Sequence, residues 1–132
     1  MMWSGEAFAG FSTAEPWLPL SPDHGTLNVA HQSAQKDSLL NFYRELLALR
    51  RAEPALLAGE YLEVAATEQV LAYERRAAGE RLLIVLNLSA EAAVTIVERG
   101  VVLCATHDCA RGIWIEDEMR LAPHQGVLLR LG

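Results

Sequence analysis

Four side chains able to ligate a metal or act as a nucleophile fall close together: Cys104, His107, Asp108 and Cys109. Zinc takes about four such ligands, usually as two short-spaced pairs. Here no second pair follows, and His24, His31 and His124 lie far away in the chain. The stretch therefore reads as a strand running into a turn, with two free thiols and no metal. A redox-active thiol needs a cation beside it to hold the thiolate, and only Arg111 stands nearby in sequence. Glu116-Asp117-Glu118 offers carboxylates, but glycoside hydrolysis needs two of them facing each other across a bond. Adjacent residues do not meet that need, and a charged hairpin tip is the plainer reading. Ser4, Ser12, Ser21 and Ser89 lack a G-x-S-x-G context, and Gly5, Gly10 and Gly25 do not space as a phosphate loop. Trp3, Phe8, Phe11 and Trp17 could stack on a sugar ring or simply anchor a loop, and Trp114, between two isoleucines, reads equally as core or surface. No catalytic set emerges from the residues alone.

The elements that would position these groups fall into three segments. Residues 1–36 have no sustained periodicity and are broken by Gly5, Gly10, Pro16, Pro19, Pro22 and Gly25. Such a length of loop is unusual inside a compact domain, and it is too aromatic for an ordinary disordered tail. It reads as a loop that lies against a surface supplied by something else. Residues 37–58 hold the clearest helix, expected over 38–52. Asp37 or Ser38 serves as N-cap, Arg50 and Arg51 fill the last turn, and Pro54 stops it. Leu39, Phe42, Tyr43, Leu46 and Leu49 cluster on one side, and Leu40 and Leu47 widen the apolar arc to about half the circumference. Such a helix requires two neighbours. From 59 to 132 the pattern becomes short extended runs near 60–66, 70–75, 81–88, 92–98, 101–106, 112–116, 118–122 and 126–131. Strands at that spacing predict an antiparallel sandwich.

Composition narrows the partners. The chain has 132 residues and a formal charge of −6, and Lys36 is its one lysine. That suits one domain and argues against nucleic acid or an anionic membrane as partner, since both need a basic footprint. No apolar run approaches the ~20 residues of a membrane span. The first residues lack a signal-peptide pattern, and two cysteines do not make a disulfide framework, so a cytoplasmic location is expected.

Several segments also resemble a known family. Met2-Trp3, Ala9-Gly10-Phe11-Ser12 and Pro16-Trp17-Leu18-Pro19 are similar to the M-x-W…AGF[ST]…PW segment of the α-glucosidases of glycoside hydrolase family 13, which include oligo-1,6-glucosidases, sucrose isomerases and trehalose synthases. The likeness continues through Ser21-Pro22-Asp23-His24, Leu27-Asn28-Val29 and Gln32, along Asp37–Arg44, and through Gly59-Glu60-Tyr61, Val70–Arg75, Leu82–Ser89 and Leu121–Leu128.

The resemblance implies a mainly β fold: an antiparallel β-sandwich of the α-amylase C-terminal type, preceded by one long α-helix and an irregular N-terminal segment. Residues 1–36 would correspond to the loop after the eighth barrel strand, 37–58 to the eighth barrel helix and its turn, and 59–132 to the C-terminal sandwich. The family's catalytic Asp nucleophile, Glu acid/base and Asp stabiliser would lie upstream, so the chain alone is expected to be inactive and to need no cofactor. Trp3 is the one residue that carries over to the substrate pocket, at its rim; Ser4 stands where relatives have Asp. The implied partners are the parent's catalytic barrel, α-glucosides or oligosaccharides through that parent, and further copies of the chain through helix 38–52. The competing reading is a freestanding carbohydrate-binding module using Trp3, Trp17 or Trp114.

Overall fold

The computed structural model describes residues 1–107 and 110–132. The chain divides into two compact units, Met1–Ala48 and Leu49–Gly132.

In the first unit, 3-10 turns at Ala7–Gly10 and Pro22–Gly25 precede a short helix α1 (Val29–Ala34) and the start of α2 (Leu39–Ala52). Helix α1 is absent from the sequence expectation because six residues are too few to show a 3.6-residue period. Asn28 makes it possible. This buried residue accepts from the His31 N–H at 2.9 Å and donates to the His24 and Gly25 carbonyls, so one side chain caps α1 and ties it to the preceding turn.

Helix α2 matches the expected span, and Ser38 is its cap: its Oγ accepts from the Asn41 N–H and donates to the Gln32 carbonyl. Gln32 Oε1 accepts the Leu40 N–H, and Asn41 donates to the carbonyls of Gln32 and Gln35. The orphan donors of the first turn are therefore satisfied by side chains. Leu39, Tyr43 and Leu47, at i, i+4 and i+8, are each about half to two-thirds exposed. Together they form the unpartnered stripe that the wide apolar arc leads one to expect.

The second unit holds α3 (Pro54–Ala58) and six strands: β1 (Glu60–Ala66), β2 (Val70–Ala77), β3 (Glu80–Asn87), β4 (Ala93–Ala105), β5 (Trp114–Leu121) and β6 (Gly126–Leu131). All pairings are antiparallel, in the order β1-β2-β3-β6-β4-β5. Ala78 and Gly79, both at positive φ, make the two-residue hairpin between β2 and β3.

Eight runs become six strands because one expected break is a bulge in β4 and the other is the stretch of β5 paired opposite it. At Val97/Gly100 the register of β4 against β5 shifts without ending either strand, and Asp117, at φ 62°, takes up the distortion on β5. Here β4 also changes partner, since 93–97 pair with β5 and 100–105 pair mainly with β6.

Residues from both parts share one core. Ala72, Leu83, Val85, Val127 and Leu129 of β2, β3 and β6 form a buried cluster with Ala93, Val97, Met119 and Leu121 of β4 and β5. These side chains are all buried, which a flat sheet with one open face does not allow. The ladder folds over itself at the β4 bulge, giving the two facing layers of a sandwich within one continuous sheet.

Candidate functional site

Trp3 is held by its backbone. Its N–H donates to the Ala9 carbonyl and its carbonyl accepts the Ala30 N–H, both at 2.9 Å, and the Ser4 N–H reaches the same Ala9 oxygen. The carbonyl of Ala9 points this way because Phe8, Ala9 and Gly10 are successive left-handed residues, at φ 55°, 54° and 69°. For Phe and Ala that conformation costs roughly 1–2 kcal/mol each. It persists because Ala9 is fully buried and its carbonyl is doubly bonded. At Gly10, φ +69° is what calls for glycine; an added Cβ would come too close only to Ser4 Oγ, at 2.7 Å, a hydroxyl that can rotate away. The Trp3 side chain is half exposed.

Beside it, Phe11, Pro16, Trp17, Leu18 and Pro19 line a groove of about 570 Å³, with Trp17 almost fully exposed. A second groove, about 330 Å³, lies between Met2, Leu27, Val29, Leu39, Leu40 and Tyr43. Both are apolar surfaces of the first unit.

In the second unit the candidate metal ligands do not converge. Cys104 is buried in β4, and burial pushes its thiol up, opposite to what a redox cysteine needs. Asp108 and Cys109 lie outside the described residues. Among the described residues no group of three or more His, Cys, Asp or Glu is placed to hold a metal. Glu116-Asp117-Glu118 lies inside β5, opposite the β4 bulge, and is not a hairpin tip. Glu118 pairs with Arg120 at 3.0 Å, and Glu116 lies 4.0 Å from Arg99.

The carboxylates with the most structured surroundings are ones that spacing did not single out. Arg130 donates to both oxygens of the buried Glu53, and Glu80 accepts the Ala55 N–H at 3.1 Å. Glu53 and Glu80 share a hydrogen bond. That bond lowers the Glu53 carboxyl, which Arg130 lowers further, and together with burial it raises Glu80. Arg75 Nε donates to the Ala55 carbonyl, so this cluster clasps α3 to the sheet. Glu74, also buried, is held to about 2 by Arg76 and then Arg81. Their signal in sequence is weak, although Glu74 does continue the inward alternation of Val70 and Ala72. All three carboxylates are engaged by arginines or backbone, which makes them structural ties.

Comparison with known proteins accounts for this arrangement. Residues 1–59 match the model described as "Alpha amylase, catalytic domain", and residues 57–128 match "Domain of unknown function (DUF3459)". The chain is 39% identical over 90 residues to the glucan 1,6-alpha-glucosidase of Streptococcus dysgalactiae subsp. equisimilis, and 40% identical over 93 residues to a probable alpha-glucosidase of Rhizobium meliloti (strain 1021). Those alignments cover 67% and 70% of this chain. The chain belongs to glycoside hydrolase family 13.

It forms a C-terminal piece of such a family 13 protein, spanning 17% of the length of each of these two relatives. A crystal structure of an isomaltulose synthase from Klebsiella sp. LX3 superposes with a TM-score of 0.86 at 26% identity, covering 99% of this chain and 24% of that one. The mainly β, antiparallel C-terminal domain expected of the family is thus present. The Trp3 segment falls within the catalytic-domain match, and the sandwich up to Leu128 falls within the DUF3459 match.

Proposed function

We propose that this chain is the non-catalytic C-terminal part of an α-glucosidase-type enzyme that cleaves or transfers at α-glucosidic bonds with retention. The catalytic carboxylates would come from barrel segments outside these residues. Residues 1–36 then shape the barrel mouth, 37–58 form the eighth barrel helix and its turn, and 59–132 buttress the barrel. The observation that carries this reading is the run of the catalytic-domain match straight into the DUF3459 match within one short chain. Trp3, fixed by Ala9 and Ala30 yet half exposed, would line the rim of the glucose pocket, where barrel active sites are built.

The barrel is the partner proposed for the stripe Leu39, Tyr43 and Leu47. Without it, copies of the chain would associate through that stripe. A cytoplasmic setting accords with the low cysteine count; no helix among the described residues is long and apolar enough to cross a membrane.

Assay of the chain alone with a chromogenic α-glucoside tests the reading. No turnover is expected, and turnover sensitive to a glucosidase inhibitor would overturn it.

A further inference from the structure

Trp114 sits on the second unit, in the DUF3459 match, and has no part in the proposed pocket. Its neighbour Ile115 packs on the core, so alternation turns Trp114 to the outer surface of β5, where it is 57% exposed. The ring is braced. Arg99 lies over it with the guanidinium carbon 4.7 Å from the centroid. Gly132 donates its N–H to the Arg99 carbonyl, and a Cβ there would fall 3.6 Å from the six-membered part of the indole. Arg99 in turn lies 4.0 Å from Glu116. A broad aromatic ring is thus left more than half exposed, partly covered by Arg99, with the Glu116 carboxylate 4.0 Å from that guanidinium.

We propose that Trp114 is a stacking platform for a hexopyranose ring of an oligosaccharide, with Arg99 and Glu116 hydrogen-bonding its hydroxyls. The platform rests on the reading that the parent protein handles α-glucosides. The apolar C–H face of a sugar suits the open face of the indole, and its hydroxyls suit mixed donors and acceptors. A stacked nucleobase does not fit, because Glu116, 4.0 Å from the Arg99 that lies over the ring, would repel the attached phosphates.

The experiment is a titration of the 132-residue chain with maltose or isomaltose, following the indole Nε1–H and backbone amide signals by two-dimensional NMR. A saturable shift in the millimolar range is expected at Trp114 and at the Glu116 amide, and not at Trp3 or Trp17. Trp114→Ala should abolish the Glu116 shift. Trp114→Phe, which keeps a ring and guards against misfolding, should retain it with several-fold weaker binding. Arg99→Gln should weaken binding several-fold while leaving the rest of the spectrum in place.

No shift up to saturating sugar, a shift confined to Trp3 or Trp17, or a shift that survives Trp114→Ala would overturn the platform. Binding of a proline-rich peptide at Trp114 in place of sugar would also overturn it. None of these outcomes bears on turnover, so the platform and the enzyme-fragment reading fail separately.

Discussion

Arg81 of β3 donates from Nη1 and Nη2 to the two carboxylate oxygens of Glu98 on β4, at 2.9 and 3.0 Å, although β6 lies between those strands in the ladder. The same guanidinium donates to Glu74 from Nη2 at 2.8 Å and from Nε at 3.2 Å. One side chain therefore joins the two layers of the sandwich at an end of the core and neutralises a buried carboxylate.

Arg81→Ala should destabilise the chain by about 2–4 kcal/mol, because it strips Glu74 of one of its two arginines. Glu98→Gln, on the exposed side of the same pair, should cost far less. Urea denaturation midpoints measured at neutral pH check both.

Acid should weaken the fold through the same residue. Glu74 is held to about 2, below its ordinary value near 4.5. Its contribution is then complete above pH 4.5 and is lost as pH falls from there toward 2. Replacing Glu74 with Gln should flatten the dependence of the thermal midpoint on pH across that window, while lowering the midpoint at pH 7.

Glu80 acts in the opposite sense. Its carboxyl is raised by the hydrogen bond to Glu53, so the folded state holds its proton more tightly than the unfolded chain does. That contribution is full below about pH 4.5 and is lost as pH rises through the raised value. Glu80→Gln keeps an acceptor for the Ala55 N–H and a permanent donor to Glu53. The variant should gain thermal stability relative to wild type as pH rises from about 4 toward neutrality, with little difference at the acid end. Circular dichroism melts at several pH values are the measurement.

At Gly59 a Cβ would fall 2.3 Å from the Ala55 carbonyl oxygen and 2.9 Å from that of Arg76, both backbone atoms. Gly59→Ala should therefore force α3 away from β2 and cost about 2–3 kcal/mol. Gly79, at φ +80° with open space around it, should lose only about 1 kcal/mol as Ala. Chemical denaturation of the two variants side by side separates steric from conformational cost.

With Cys109 replaced by Ser, the remaining Cys104 should react with a thiol reagent only as fast as the second unit opens. It is 2% exposed and its thiol is pushed up by burial. Labelling should accelerate sharply through the urea transition, and prompt labelling of the native chain would contradict the structure.

The sequence made α2 legible because fourteen residues hold several turns of a repeating apolar face, and the cap and stop signals agree with it. The strand content was legible for the same kind of reason, but its division was not. Gly100 and Asp117 look like breaks, and only the pairing of β4 with β5 and then β6 reveals a single β4 bulge, with Asp117 paired across from it, inside continuous strands. Trp114 could not be assigned a face between two isoleucines until that bulge set the phase of β5. The clasp of Glu53, Glu80 and Arg130 was invisible, since its members are far apart in the chain and meet only when α3 docks on the sheet. The Trp3 segment was legible as a motif. Its geometry depends on a left-handed Phe8-Ala9 pair that no propensity predicts.

The position of β6 has a kinetic consequence. The strand latest in sequence occupies the middle of the ladder, between β3 and β4, and pairs with both. Before residues 126–131 are in place, β1–β3 and β4–β5 are two separate antiparallel sets, each with an unpaired apolar edge. Closure of the sheet must then wait for β6 to insert. Folding should carry the slow, non-local signature of high contact order, and a nascent chain still lacking these six residues should offer an open edge to a chaperone or to another copy.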